Sequence, residues 1–188
     1  KWYRKAAWKG NGGALYKLGY DGNAVSLYRK NAEPGNPDNQ YEFGRYLKGL
    51  GTPKAEKEAW KLFRITAERG DALAQLKLGL MYTLGRGVEK DDKEAVKWYR
   101  KAGERNHAPA QHNLGWMYAN GRGVEKDDKE AVKWFREAVK QNHAPAQRSL
   151  GFMYSKGRGV ERDDKEAVKW YRKAAEQNDA SAQYNLGF

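Results

Sequence analysis

Apolar positions along this chain recur on two scales. Within short stretches they fall three and four residues apart, the spacing of one face of an α-helix. Ala110, Leu114 and Tyr118 recur at i, i+4 and i+8, and Met117 joins their stripe. Over longer distances the whole phrase repeats. Leu78-Gly79, Leu114-Gly115, Leu150-Gly151 and Leu186-Gly187 stand at 36-residue steps, as do Trp98, Trp134 and Trp170. Between them runs the block Gly-Arg-Gly-Val-Glu-Lys-Asp-Asp-Lys-Glu-Ala-Val-Lys-Trp, starting at Gly85 and Gly121 and recurring from Gly157 with Arg162 in place of Lys. A fixed period of this size predicts a solenoid, whose units bury their apolar faces only by stacking on neighbours.

Residues 107–142 illustrate one repeat. Ala108-Pro109-Ala110-Gln111 opens a first helix, with proline confined to the first turn, where no intrahelical N–H bond is lost. Gly115 on the apolar stripe costs about 1 kcal/mol in a helix interior and implies that a neighbouring backbone comes close. Gly121-Arg122-Gly123 ends the helix, because glycine tolerates the left-handed turn required there. Val124 plugs the loop. Asp127 then caps a second helix with Glu130 three residues on, a capping box that recurs as Asp91/Glu94 and Asp163/Glu166. Ala131, Trp134, Phe135 and Ala138 form the second helix's apolar side, and it ends near Gln141-Asn142. Each repeat is predicted to be an antiparallel helix pair, and the fold class to be all-α, an α/α superhelical solenoid.

Regular 36-residue repeats cover 71–188, the last one truncated. Residues 38–70 read as a divergent repeat, in which Gln40-Tyr41-Glu42-Phe43-Gly44 and Ala59 to Ala67 keep the pattern and Leu62-Phe63 replaces Trp-Tyr. Residues 1–37 read as partial and shortened divergent repeats: Ala14 to Gly19 and Val25 to Ala32 form one that lacks the connecting loop, followed by a linker from Ala32 to Pro37. Trp2-Tyr3-Arg4-Lys5-Ala6-Ala7 is identical to residues 170–175. The chain is therefore expected to be a piece of a longer array.

Composition changes this picture little. A 39% apolar content and a mean hydropathy of −1.04 suit a disordered chain, but seven Trp and twelve Tyr at periodic spacing argue for buried stacking. No stretch approaches the roughly 20 apolar residues of a membrane span. There is no cysteine, so no disulfide staples the stack. The net charge of +12 invites nucleic acid as a partner, yet in the regular repeats Lys and Glu alternate, as in Asp91-Asp92-Lys93-Glu94 followed by Lys97. Such mixed signs predict a solvated helical face, and nucleic acid is disfavoured.

The motifs Ala-x-Ala-Gln-x-x-Leu-Gly-x-Met-Tyr, Gly-x-Gly-Val, Asp-x-x-x-Ala and Trp-Tyr-Arg-Lys-Ala over 71–188 resemble the Sel-one-like repeat, a relative of the tetratricopeptide repeat. The resemblance implies a non-enzymatic scaffold that binds a partner protein or peptide on the concave face, lined by the first helix of each pair. It further implies a bacterial protein, often periplasmic or secreted, with roles in envelope assembly or host interaction. Cysteine-rich relatives are linked to β-lactam binding or hydrolysis through a Cys pair in each repeat, and this chain has none. A binder of anionic polymers is the other alternative.

Positions that vary between otherwise faithful copies are candidate partner contacts. One row lies two residues before the Leu: Tyr16, Tyr41, Leu76, His112, Arg148 and Tyr184. Another follows the Gly: Tyr20, Arg45, Leu80, Trp116, Phe152 and Phe188. A third, at the helix end, reads Leu84, Asn120 and Lys156. Trp116 and Phe152 are expected to anchor a peptide, with Arg45, Arg148 and Lys156 selecting acidic groups; the alternative is that the aromatics pack against the next repeat. The histidines do not read as a metal site, because His107 and His112 stand five residues apart rather than the three or four that share a helical face. No cofactor is expected. The Asp91-Asp92 pairs read as caps rather than catalytic carboxylates, and the Arg86, Arg122 and Arg158 series as partners for the neighbouring Asp-Asp series, or else as an anion-binding edge.

Overall fold

The computed structural model describes residues 37–187. The expected short repeat, the linker before Pro37, and Tyr16, Tyr20 and Phe188 lie outside the described residues. The fold is all-α, an α/α solenoid of antiparallel helix pairs. The helices are α1 (Pro37–Leu50), α2 (Pro53–Glu68), α3 (Ala72–Leu84), α4 (Asp92–Glu104), α5 (Ala108–Asn120), α6 (Asp128–Lys140), α7 (Ala144–Lys156), α8 (Asp164–Ala175) and α9 (Ala180–Leu186). Two compact units divide at residues 90 and 91: α1 to α3 belong to the first and α4 to α9 to the second.

The helix ends follow the local chemistry of the repeat. Asp91 and Asp163 accept backbone N–H bonds from the second and third helical residues, and Asp127 accepts one from Glu130. These bonds satisfy donors that a helix leaves open at its start. The matching glutamates take a different partner from the one a capping box requires. Glu94, Glu130 and Glu166 pair with Lys97, Lys133 and Lys169 one turn further on, at 2.8 Å in the last two cases. A lysine ammonium at i+3 is a stronger attraction for the carboxylate than a neutral N–H. At the other end, Gly85, Gly121 and Gly157 adopt the left-handed conformation, with φ between 63° and 67°. After the second helices the same conformation falls to asparagine, at Asn106, Asn142 and Asn178.

The two helices of a pair meet at the Leu-Gly motif. A Cβ on Gly115 would stand 2.7 Å from the Phe135 ring and 3.0 Å from the Ala131 carbonyl. On Gly151 it would stand 2.9 Å from the Tyr171 ring, and on Gly44 2.9 Å from the Phe63 ring. Glycine is therefore kept on the stripe because the second helix's aromatic residue occupies the space of a side chain. Leu78, Leu114 and Leu150 beside it are fully buried, as are Ala131 and Ala138 of α6. Trp134 is only half-buried, and its ring lies 3.2 Å from where a Gly103 side chain would start, so it packs across to the preceding repeat.

Three polar devices join consecutive repeats. In the first, the Gly-Arg-Gly loop seats on the start of the previous repeat's second helix. Gly123 (φ +66°) leaves no room for a Cβ, which would fall 2.1 Å from the Asp92 carbonyl oxygen, and Gly159 meets Asp128 in the same way. Arg122 donates to both carboxylate oxygens of Asp92 at 2.9 and 2.7 Å, and Arg158 does the same to Asp128. Arg122 and Arg158 thus make the pairing expected of the arginine series, whereas Arg86 stands 4.0 Å from the carboxylate of Glu56. The second device is the Gln of Ala-x-Ala-Gln. Buried Gln111 donates Nε2 to the Gly103 carbonyl at 3.0 Å, and its own carbonyl accepts from Gln141 at 2.9 Å. Gln177 closes the same bond onto Gln147 one repeat later, at 2.7 Å. The third device, a seam between the first helices, belongs to the candidate site.

Candidate partner-binding site

Trp116, Asn120, Arg148 and Phe152 converge on one cavity of about 280 Å³ in the second unit. Trp116 and Asn120 come from α5, Arg148, Ser149, Phe152 and Met153 from α7, Phe135 from α6, and Arg158 from the loop after α7. Trp116 and Phe152 are each 40% exposed, whereas Phe135 and Met153 beneath them are buried. An apolar floor thus lies between two reachable aromatic side chains at equivalent positions of adjacent repeats. Trp116 is steadied on one face by the Arg122 guanidinium, 5.2 Å from its ring centre. Asn120 reaches back to the Trp116 carbonyl at 2.8 Å, which fixes the last turn of α5.

The polar rim is made of committed charges. Arg158 holds Asp128 and also donates to the Ala119 carbonyl at 2.6 Å. Its hydrogen bonds hold the Asp128 carboxyl below the usual carboxylate range. Arg148 pairs with Asp179, the cap of α9, at 3.2 Å. The groove therefore presents guanidinium groups already engaged by carboxylates.

The row two residues before the Leu behaves differently from expectation. Tyr41 packs on the Phe63 ring, 5.5 Å centre to centre. His112 lies 5.7 Å from the Phe135 ring, 5.5 Å from the His143 ring, and 3.1 Å from the Ser149 hydroxyl. Leu76 is buried, with 6% of its surface exposed, and leaves the set of surface candidates. In the second unit His112 turns toward Phe135 of its own repeat and His143 of the next, and Arg148 toward Asp179 of the next, so these two form an inter-repeat seam. The row varies because its facing residue varies too: His112 meets His143, and Arg148 meets Asp179. Burial, with the nearby His143 and Arg148, pushes the His112 pKa down to about 4. Tyr184, in the same row on α9, is 81% exposed.

The row after the Gly is the exposed one. Arg45 is exposed, Leu80 half-buried, and Trp116 and Phe152 open to solvent. At the helix ends Leu84, Asn120 and Lys156 are exposed. His107 and His143 occupy helix-start positions without a side-chain capping bond, unlike Asp71 and Asp179. Among the described residues no three His, Cys, Asp or Glu side chains gather as metal ligands would. No described helix is long and apolar enough to cross a membrane.

The Sel1 repeat profile matches residues 1–11, 40–71, 72–107, 108–143 and 144–179, most of the sequence. The chain belongs to the Sel1-repeat family. A Sel1 repeat protein from Oxalobacter formigenes is 37% identical, with a TM-score of 0.82 over 94% of this chain and 72% of its own. A protective antigen of uropathogenic Escherichia coli with the same repeat fold is 33% identical, with a TM-score of 0.82 over 99% of this chain. This chain spans 42% of that antigen's length. Cysteine-rich protein B of Helicobacter pylori is more distant, at 25% identity and a TM-score of 0.54, covering 68% of this chain and 96% of its own. Comparison with curated proteins returns no match. Sel1-repeat proteins are typically protein–protein interaction scaffolds. The Gly-Arg-Gly loops and the Gln bonds are what its Sel1 repeats use to fix one copy on the next.

Proposed function

We propose that this chain is a non-enzymatic scaffold whose second unit grips a partner peptide between Trp116 and Phe152, on the concave, first-helix side of the array. One observation carries the reading: two large aromatic side chains, equivalent in adjacent repeats, stand open to solvent over a buried apolar floor. Stacking does not require them to be open, since Leu114 and Leu150 two positions earlier are fully buried. Aromatic anchors beside a pocket are the usual centre of a binding hot spot. The paired arginines supply polar edges without demanding an acidic partner, so apolar side chains of the peptide are the main determinant, and Lys156, exposed at the end of α7, is a cation that would favour an acidic group beside them.

The test compares the wild-type chain with a Trp116→Ala/Phe152→Ala variant in affinity capture from bacterial and host lysates, alongside thermal unfolding. A scaffold of this kind loses its captured partner while its melting temperature moves by only a few degrees, because half-exposed side chains contribute little burial. A large drop in stability with the same proteins captured would return both aromatics to a packing role.

A further inference from the structure

The groove between Trp116 and Phe152 is rich in hydrogen-bond donors and poor in acceptors. No aspartate or glutamate lines it. Arg148, Arg158 and the Trp116 indole, which do line it, can only donate. The backbone acceptors of the lining residues are already in use. The carbonyls of Trp116, Ala119 and Phe152 accept from Asn120, Arg158 and Ser155, at 2.8, 2.6 and 3.0 Å. The Ser149 hydroxyl is shared with His112 at 3.1 Å. Among the lining side chains, the amide oxygens of Asn120 and Asn185 remain to accept, and both residues are exposed to water.

Arg148 is the donor with capacity to spare. It reaches Asp179 through Nε, at 3.2 Å, and its two terminal nitrogens make no hydrogen bond among the described residues. Arg122 and Arg158, by contrast, each commit a terminal nitrogen as well as Nε to an aspartate. Asp179 balances the charge of Arg148, so its remaining N–H groups suit a neutral oxygen better than a second carboxylate.

We propose that the occupant of this groove is a proline-rich segment of a partner protein in the polyproline II conformation, an inference that rests on the peptide-binding reading above. Its rings pack on Trp116 and Phe152, and a backbone carbonyl accepts from the terminal nitrogens of Arg148. An ordinary extended peptide brings one N–H for every carbonyl, and each N–H laid in this groove gives up water without gaining an acceptor. A helical peptide hides its own N–H groups but also its carbonyls, and leaves Arg148 unmet. Proline brings the carbonyl and no N–H. The polyproline II conformation is also populated before binding, so little conformational entropy is lost at a site with only two anchors. Grooves lined by aromatic side chains are a general receptor for such segments.

Fluorescence anisotropy tests this with two fluorescein-labelled peptides in one Gly-Ser frame, carrying Pro-Pro-Leu-Pro-Pro-Leu or Ala-Ala-Leu-Ala-Ala-Leu. The proline peptide is expected to bind about tenfold more tightly, because the leucines are shared and only the N–H groups and the pre-ordered backbone differ. Trp116→Ala/Phe152→Ala should abolish binding of both. Arg148→Lys keeps a cation for Asp179 but loses the planar set of terminal nitrogens, and should weaken the proline peptide about fivefold. Circular dichroism checks that the variants remain folded. A second readout places the peptide: the indole N–H resonance that disappears in Trp116→Phe should shift on titration with the proline peptide. Equal binding of the two peptides, with both lost in the double variant, would overturn the proline assignment and leave the aromatic groove standing. Proline-peptide binding that survives Trp116→Ala/Phe152→Ala, or is unchanged in Arg148→Lys, would overturn the proposal. So would the absence of binding by either peptide, and capture of a partner from lysate would then decide the groove on its own.

Discussion

Gly123 and Gly51 share a left-handed backbone, with φ of +66° and +64°, and differ in what surrounds them. Nothing lies within 4 Å of a Cβ placed on Gly51, whereas one on Gly123 would sit 2.1 Å from the Asp92 carbonyl oxygen and 2.7 Å from the Lys93 nitrogen. Alanine at either site carries the same left-handed penalty, about 1 kcal/mol. At Gly123 the loop must in addition retreat from the start of α4, which pulls Arg122 from the two carboxylate oxygens it holds. Hydrogen bonds to a charged group contribute about 1.5–3 kcal/mol. Gly123→Ala is therefore expected to cost roughly 3–5 kcal/mol and Gly51→Ala about 1. Urea unfolding followed by tryptophan fluorescence and by circular dichroism measures both. Hydrogen exchange should place the new opening in Gly123→Ala at the start of α4 and the end of α5. Gly159→Ala, which meets Asp128 at the same 2.1 Å, should repeat the result. If Gly123→Ala lies within about 0.5 kcal/mol of Gly51→Ala, the close seating of the loop is not what holds the repeats together.

Further expectations follow from the same contacts. Gln111→Ala leaves the buried Gly103 carbonyl unmatched and should cost about 1–3 kcal/mol in thermal or urea unfolding, whereas Gln147→Ala, whose partners Asn142 and Gln177 are exposed, should cost less. For pH, His112 folds with a pKa near 4 and unfolds with the ordinary value of 6.5, so the unfolded chain binds the proton first. Stability conferred by the neutral ring is complete above about pH 6.5 and is lost as pH falls toward 4, by at most about 3 kcal/mol. His143, also lowered by burial and by His107, acts in the same direction. His112→Gln should flatten that slope in unfolding measured between pH 7.5 and 4.5, and an unchanged slope would refute the assignment. Arg148→Asp should destabilise the chain by about 1–2 kcal/mol, and adding Asp179→Arg should restore part of it in a double-mutant cycle.

Much of this was legible before any coordinates. The period placed Leu114 and Gly115 on a packed stripe, Asp127 at a helix start and Gly121 at a helix end, because these roles depend on local backbone chemistry that residue type reveals. The resemblance carried by the same motifs reached the family. The seam was harder. Reading variability as exposure placed Leu76 and His112 at the surface, although such positions can vary in pairs across two copies, as Arg148 does with Asp179. Nor do residues alone tell that Gly123 touches Asp92, since the two lie 31 positions apart and meet only after stacking. A matched spacing of the varying His112 and His143, or of Arg148 and Asp179, is the signal that would have exposed the seam. The openness of Trp116 and Phe152 depends on what stands over them, which no single-residue property records.

The bonds across each junction come in halves: a 36-residue copy brings an arginine and a glycine loop for the copy before it, and an aspartate ledge for the copy after. Whole copies can accordingly be gained or lost by recombination with every fastener still matched, while an exchange out of phase strands a guanidinium and a carboxylate without mates. Array length is thus free to drift in evolution, and its increments are fixed.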